Sequence, residues 1–168
     1  MQPRPLDDGD LEAYLHDQQI DAELLRLPAL TPTVELAAAA VGAESDDIVK
    51  SLLFLVDGRP VVAITCGRGR IDARALAARF GVGRKHVKLA EAEVVLSLTG
   101  YPVGGLPPFG HRQPLPTVID RRVLGRSLVF AGGGSDRALV RLSPHEIIRV
   151  SQGEIVDLSQ FVSGEVGH

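Results

Sequence analysis

Along the chain, apolar positions fall at helical spacing in five stretches and in short unbroken runs in several others. "DLEAYLHDQQI" (10–20) sets Leu11, Tyr14 and Leu15 on one face, with Asp10 as the expected cap. "TVELAAAAVG" (33–42) predicts a second helix, opened by Thr33, carrying Glu35 in its first turn and stopped at Gly42. In "DIVKSLLFLVDGRPVVAITCG", two β-branched runs flank "DGRP", the signature of a hairpin. A third helix is expected over 72–81, a short strand at "KHVKLA", and a fourth helix over 90–100 ended by Gly100. "LPTVID", "SLVFAGGG" and "ALVRL" read as buried strands. "SPHEIIRVSQG" (143–153) reads as a helix with Ser143 as cap, Pro144 at the first position and Glu146 completing a capping box. "EIVDLSQF" is expected to close the chain as a strand. Helices and strands mix without a strict βαβ rhythm. The pattern therefore predicts an α+β domain with a mixed, mainly antiparallel and barrel-like sheet flanked by helices.

Composition narrows this picture. A chain of 168 residues suits one domain, expected over 10–168 behind a loose stretch at 1–9. Aromatics are only 4% and Trp is absent, so the core must be aliphatic. No run approaches the length of a membrane span, and the acidic start lacks a signal pattern, so a cytoplasmic protein is expected. The lone Cys66 excludes an internal disulfide framework. The net charge of −3 hides an asymmetry. Residues 1–47 hold eleven acids against Arg4 and Arg26. Between Arg68 and Lys88, seven basic residues (Arg68, Arg70, Arg74, Arg79, Arg84, Lys85, Lys88) oppose Asp72 alone, and Arg121, Arg122 and Arg126 follow later. Such segments make either a solvated helix face or a local anion-binding surface.

The stretch "TGYPVGGLPPFGH" (99–111) holds four glycines and three prolines, which neither a helix nor a strand tolerates. A flexible pair, Gly104 and Gly105, precedes the rigid pair Pro107 and Pro108. That order is expected to hold the N–H groups of Gly104, Gly105 and Leu106 in one arrangement, as donors to an anion or a developing oxyanion. Lys50 is the other anomaly. Strand alternation puts it on the face of Leu52, away from Val49 and Ser51, where its ammonium needs water or an anion. Elsewhere the residues carry less. His16, His86, His111, His145 and His168 lack metal-ligand spacing, "GRGR" (67–70) lacks P-loop spacing, and Cys66 reads as packing. Asp120 and Asp136 read as turn or cap residues.

With "IVKSLLF", "RIDARALAARFG", "TGYPVGGLPPFGH", "LPTVID" and "AGGGSD" in this order, the chain resembles the YbaK/ProX family of aminoacyl-tRNA deacylases, which includes the editing domain inserted into some prolyl-tRNA synthetases. The resemblance runs from "TPTVELAAAAVG" to "EIVDLS" and implies that family's fold. It implies hydrolysis of the ester joining a wrong amino acid to the terminal adenosine of a tRNA for proline. On this resemblance Lys50 engages the terminal phosphate–ribose region, and the Gly-x-x-x-Pro string of Gly104 to Pro108 surrounds the aminoacyl group. Catalysis would then fall to Lys50, Gly104 and Gly105, and substrate contacts to Leu106, Pro107, Pro108, His111 and Asp136. The family's glycine–aspartate region falls on Gly132 to Asp136, with shorter spacing here.

An aminoacyl ester is already reactive, so a positioned water and oxyanion donors suffice, without nucleophile, metal or cofactor. Arg68, Arg70, Arg84, Lys85 and Lys88 are expected to hold the acceptor end, and a prolyl-tRNA synthetase is a second expected partner. Apolar residues around Leu25 to Leu30, Leu52, Val103 and Leu106 are expected to line the pocket, favouring a small uncharged amino acid, alanine first and cysteine second. Two other readings stay open: a tRNA-end or nucleotide binding module without turnover, and a regulatory partner of a synthetase that docks through the acidic N-terminal region.

Overall fold

A computed structural model describes residues 3–158. Helix α1 spans Asp8–Asp17, strand β1 Ala22–Arg26 and helix α2 Val34–Val41. The hairpin follows as β2 (Val49–Val56) and β3 (Arg59–Cys66), then α3 (Ala73–Arg79), β4 (Val87–Leu89) and α4 (Ala92–Thr99). The chain ends with β5 (Thr117–Asp120), β6 (Val129–Gly132), β7 (Ala138–Leu142), α5 (Pro144–Ser151) and β8 (Glu154–Val156). The last residues of "EIVDLSQF" lie outside the described residues.

The local signals act as their chemistry requires. Asp57 and Gly58 both take positive φ (52° and 78°), the geometry of a two-residue turn matching strand twist, so Val49 pairs with Cys66 and Val56 with Arg59. Thr33 accepts the Leu36 N–H, and Gly42 closes α2 in the left-handed region at φ 70°. Two expected caps differ. Asp7, not Asp10, caps α1; Asp10 is its reciprocal partner, each side chain accepting the other's main-chain N–H. Ser143 accepts the Glu146 N–H, but the Glu146 carboxylate turns to the Asp21 N–H at 2.9 Å and to Arg149, so no capping box closes. The stretch expected to be loose is held from residue 4 onward. Leu6 N–H donates to the Gly100 carbonyl at 2.7 Å, Arg4 pairs with Asp10, and Arg112 reaches the Arg4 carbonyl at 2.6 Å.

The strands form two sheets rather than one: β1-β7-β6, wholly antiparallel, and β4-β2-β3-β5-β8, antiparallel around β2 and parallel across β3-β5-β8. Strand β1 was not legible in the sequence, because "AELLR" has no turn signal before it and only two large apolar residues; pairing with β7 makes it a strand. The hairpin is buried on both faces. One face puts Val49, Leu53, Val62 and Ile64 against Val129, Val140 and Leu142 of the smaller sheet and against α1, α4 and α5. The other sets Phe54, Val56, Val61 and Ala63 against Leu76 and Ala77 of α3. Each of these Val, Leu, Ile and Phe side chains contributes about 1.5–3 kcal/mol on burial. The register confirms that Lys50 shares a face with Leu52 and lies opposite Thr65.

Loop 99–111 packs main chain against main chain. A methyl on Gly132 would overlap the Leu106 carbonyl oxygen, and one on Gly105 would stand 2.5 Å from the Ser135 nitrogen. His111 clamps the other end, its ring Nε2–H donating to the Pro107 carbonyl at 2.8 Å. Burial holds the imidazole pKa below its ordinary value, because the charged form loses hydration.

Gly132→Ala is expected to cost at least about 1–3 kcal/mol in a urea titration, since backbone cannot yield as a side chain tip does. The unfolded chain takes up a proton near pH 6.5 that folded His111 resists, so stability should be full above that pH and fall progressively below it. Thermal melts from pH 7.5 to 5.5 should show a smaller drop for His111→Gln than for the wild type, and parallel curves would exclude His111 as the source.

Candidate active site

Strand β2 is paired with β3 along its whole length, but its other edge is covered only in part. An isolated bridge joins Ile48 to Phe130, and β4 begins pairing at Phe54, one residue after Ala90 N–H meets the Leu53 carbonyl. Between them no described strand adjoins Val49–Leu52. A cavity of about 230 Å³ occupies this gap. Its floor is Ile48 to Leu52, one wall is the N-terminal turn of α2 with the preceding Thr31 and Pro32, and the opposite wall is Val103, Gly104 and Leu106. Gly132, Ala138 and Leu139 close the end. The lining is mostly aliphatic, with Lys50 as its basic group.

Lys50 is half-buried, and among the described residues it has no ion-pair partner. Burial lowers its pKa from the ordinary 10.5; the carboxylate of Glu35 on α2 opposes this, while the guanidinium of Arg122 adds to it. Glu35 also pairs with Arg68 at 3.4 Å. A cation thus stands in the wall of an apolar cavity with its charge only partly balanced, the arrangement an incoming anion would satisfy. Ser51, the next residue, is buried with its Oγ unpartnered among the described residues.

The glycine–proline loop differs from expectation in one respect. Gly105 is fully engaged: its N–H donates to the Pro102 carbonyl at 3.0 Å and its carbonyl accepts from Gly134 N–H at 2.8 Å. The N–H groups of Gly104 and Leu106 meet no acceptor among the described residues. Two main-chain donors, not three, remain on the cavity wall. The reason is a single 3-10 turn over Val103–Gly105, which consumes the third.

Not all sequence-predicted residues converge here. Lys50, Gly104 and Leu106 line the cavity, as do Leu52 and Val103. Asp136 sits exposed at its rim, its carbonyl accepting from Thr31 N–H and its Cβ 3.7 Å from where a Gly104 methyl would be. Pro107 is buried behind the loop. Pro108 and His111 line a separate cavity with Tyr14 and Phe109, whose rings stack at 6.1 Å. These three residues fix the loop rather than face Lys50. Residues 25–30 do not line the cavity; Leu25 belongs to β1, and Leu27 packs under α2. Thr31 to Val34 and Ala37 take their place, a wall whose only sequence signal was the Thr33 cap. Cys66 is buried, and burial pushes its thiol pKa up, which suits packing and not attack.

The basic residues divide into two groups. Arg68 and Arg70 lie on the turn leaving β3, at the Lys50 end of the hairpin. Arg84, Lys85 and Lys88 lie at the other end, where Lys88 faces Leu55 and the 84–86 turn abuts Asp57. Six strand residues separate the two ends, about 20 Å. Among the described residues no group of three or more His, Cys, Asp or Glu could hold a metal ion, and no helix is long and apolar enough to cross a membrane.

Residues 29–150 match the family described as the aminoacyl-tRNA editing domain. A crystal structure reported as a candidate trans-editing enzyme for prolyl tRNA synthetase superposes with a TM-score of 0.85 at 34% identity, covering 92% of this chain and 97% of that one. The uncharacterized protein YwhH of Bacillus subtilis is 30% identical over 73% of this chain and 77% of its own length. A proline–tRNA ligase of Geobacter sp. is 29% identical over 79% of this chain, which spans only 23% of that ligase. The chain belongs to the aminoacyl-tRNA editing domain family, as the motifs around Lys50 and the glycine–proline loop anticipated.

Proposed function

We propose that this protein is a trans-editing aminoacyl-tRNA deacylase of the cytoplasm, removing a small uncharged amino acid, alanine or cysteine, from tRNA for proline. The observation that carries the reading is the half-buried, incompletely balanced Lys50 in the wall of an aliphatic cavity, opposite main-chain donors on a rigid loop. Lys50 binds the phosphate–ribose end of the substrate as a point charge. The N–H groups of Gly104 and Leu106 receive the oxyanion that forms when water attacks the ester carbonyl. The proton lost by that water and the one gained by the leaving ribose oxygen balance through solvent, so an activated ester needs no protein nucleophile. Apolar walls of limited volume admit a small side chain. A synthetase pocket gains only about 1–3 kcal/mol per methylene, so a smaller amino acid is charged by error and a second sieve must remove it. A prolyl-tRNA synthetase is the partner this role implies, and its homologous relatives support it.

Release of labelled amino acid from alanyl-, cysteinyl- and seryl-tRNA for proline, with prolyl-tRNA as the spared control, tests the reading. Fast loss of one mischarged ester supports it; tRNA binding without hydrolysis of any would make the protein a capture module. Lys50→Ala should lower the rate roughly 100-fold or more, the loss expected when a site loses a key charge, and full activity in that variant would remove Lys50 from the mechanism.

Because only protonated lysine attracts phosphate, affinity for an uncharged acceptor-stem hairpin should fall as pH rises through the Lys50 pKa. Burial lowers that value, so the fall should begin below the ordinary 10.5. The difference between wild-type and Lys50→Ala binding curves from pH 7 to 10.5 isolates it; a constant difference would contradict the assignment.

A further inference from the structure

Across the hairpin from Lys50, Thr65 touches a second cation held by a buried carboxylate. Asp120, the last residue of β5, is 1% exposed. Its side chain accepts the Thr65 hydroxyl at 3.1 Å and the Arg122 N–H at 3.2 Å, and lies 3.5 Å from the Arg122 Nε. The Arg122 Nη2 reaches the Thr65 Oγ1 and the Cys66 carbonyl, each at 3.4 Å. These last contacts are long, and 43% of the Arg122 side chain stays exposed, so the fork keeps donors for another acceptor. Thr65 is also the cross-strand partner of Lys50. Directly opposed residues stand with Cβ atoms about 5 Å apart, which puts Lys50 and Arg122 on either side of one threonine.

We propose that Arg122 is a second phosphate contact, which together with Lys50 guides the nucleic-acid strand whose 3′ end enters the cavity. This rests on the deacylase reading above. The two cations repel one another, as the effect of Arg122 on Lys50 shows, and a phosphodiester lying across both relieves that repulsion. A bidentate guanidinium preorganised by a buried carboxylate suits phosphate oxygens. The direction follows as well. The turn bearing Arg68 and Arg70 passes directly over Arg122, so closely that a methyl on Gly69 would stand 2.5 Å from Nη2. The strand therefore leaves the cavity over Lys50, crosses Arg122 and continues beneath Arg68 and Arg70. The cluster of Arg84, Lys85 and Lys88 lies off this line.

The test is anisotropy of a labelled, uncharged hairpin carrying a tRNA acceptor stem and its 3′ CCA, titrated over a series of salt concentrations. R122Q should weaken binding roughly ten-fold and reduce the slope of log affinity against log salt by about one, the signature of one lost phosphate contact. R122K should restore the slope. Gly69→Ala, which only pushes the guanidinium tip aside, should weaken binding at an unchanged melting temperature, and it decides the matter if R122Q is unfolded. R149Q, which removes a guanidinium that pairs with Glu146 and touches neither Thr65 nor Asp120, should match the wild type. Equal affinity and slope in R122Q and wild type overturns the proposal, as does an equal slope change in R149Q, which would reduce the effect to net charge. Failure of the wild type to bind the hairpin removes the tRNA reading and this inference with it, whereas wild-type binding unaffected at Arg122 removes this inference alone.

Discussion

Main chain packed directly on main chain, where loop 102–106 crosses Gly132 to Gly134, is the constraint on which the rest of the site depends. The Gly105 carbonyl bonded to Gly134 N–H and the Leu106 carbonyl pressed on Gly132 hold the loop at a distance no side chain would permit. Leu106 and Gly132 meet in the wall of the cavity beside β2. The same loop leaves Gly104 and Leu106 with unengaged N–H groups on the cavity wall. From behind, Pro107, Pro108 and the His111 clamp remove the loop's freedom to relax. Preorganised donors of this kind cost no rearrangement when charge develops, which is where such groups gain their effect.

The electrostatics are built around the same cavity. A lysine half-buried in an aliphatic wall is unfavourable by itself, and the fold tolerates it through Glu35 on α2 and through access to solvent at the cavity mouth. Asp120, buried beneath Thr65, plays the complementary part by fixing Arg122 without cancelling Lys50. Lys50, Arg122, Arg68 and Arg70 thus gather at one end of the hairpin. The N-terminal stretch is part of this frame, since Leu6 bonds to Gly100 at the root of the loop and Asp7 and Asp8 pack on Gly134.

Much of this was legible along the chain, because it depends on local chemistry. Asp57-Gly58 allows one tight turn, so the hairpin and its register, and with them the face of Lys50, follow from the sequence. Thr33, Gly42, Asp72, Gly100 and Ser143 mark helix ends by interactions within a turn. The rigidity of the glycine–proline loop was equally local. What the sequence could not state was which groups of that loop would be consumed. Gly105 lost its N–H to a turn and its carbonyl to a residue nearly thirty positions away.

Other outcomes were decided only when distant segments met. Strand β1 exists because β7 offers it an edge, and Asp7 rather than Asp10 caps α1 because Arg4 and Asp10 also join there. Of the basic segment 68–88, Arg68 and Arg70 came to one end of β2 and Arg84, Lys85 and Lys88 to the other, since α3, with Arg74 and Arg79, carries the chain along the sheet between them. His111, at the end of the glycine–proline loop, lines a different cavity, while Thr31 to Val34, remote in sequence, form the pocket wall. Local sequence determined turns, caps, strand faces and the stiffness of the loop, because those energies act over a few residues. Tertiary structure alone decided which donors stay free, which cations gather and what lines the cavity, because each of these is a contact between segments that only the packed core brings together.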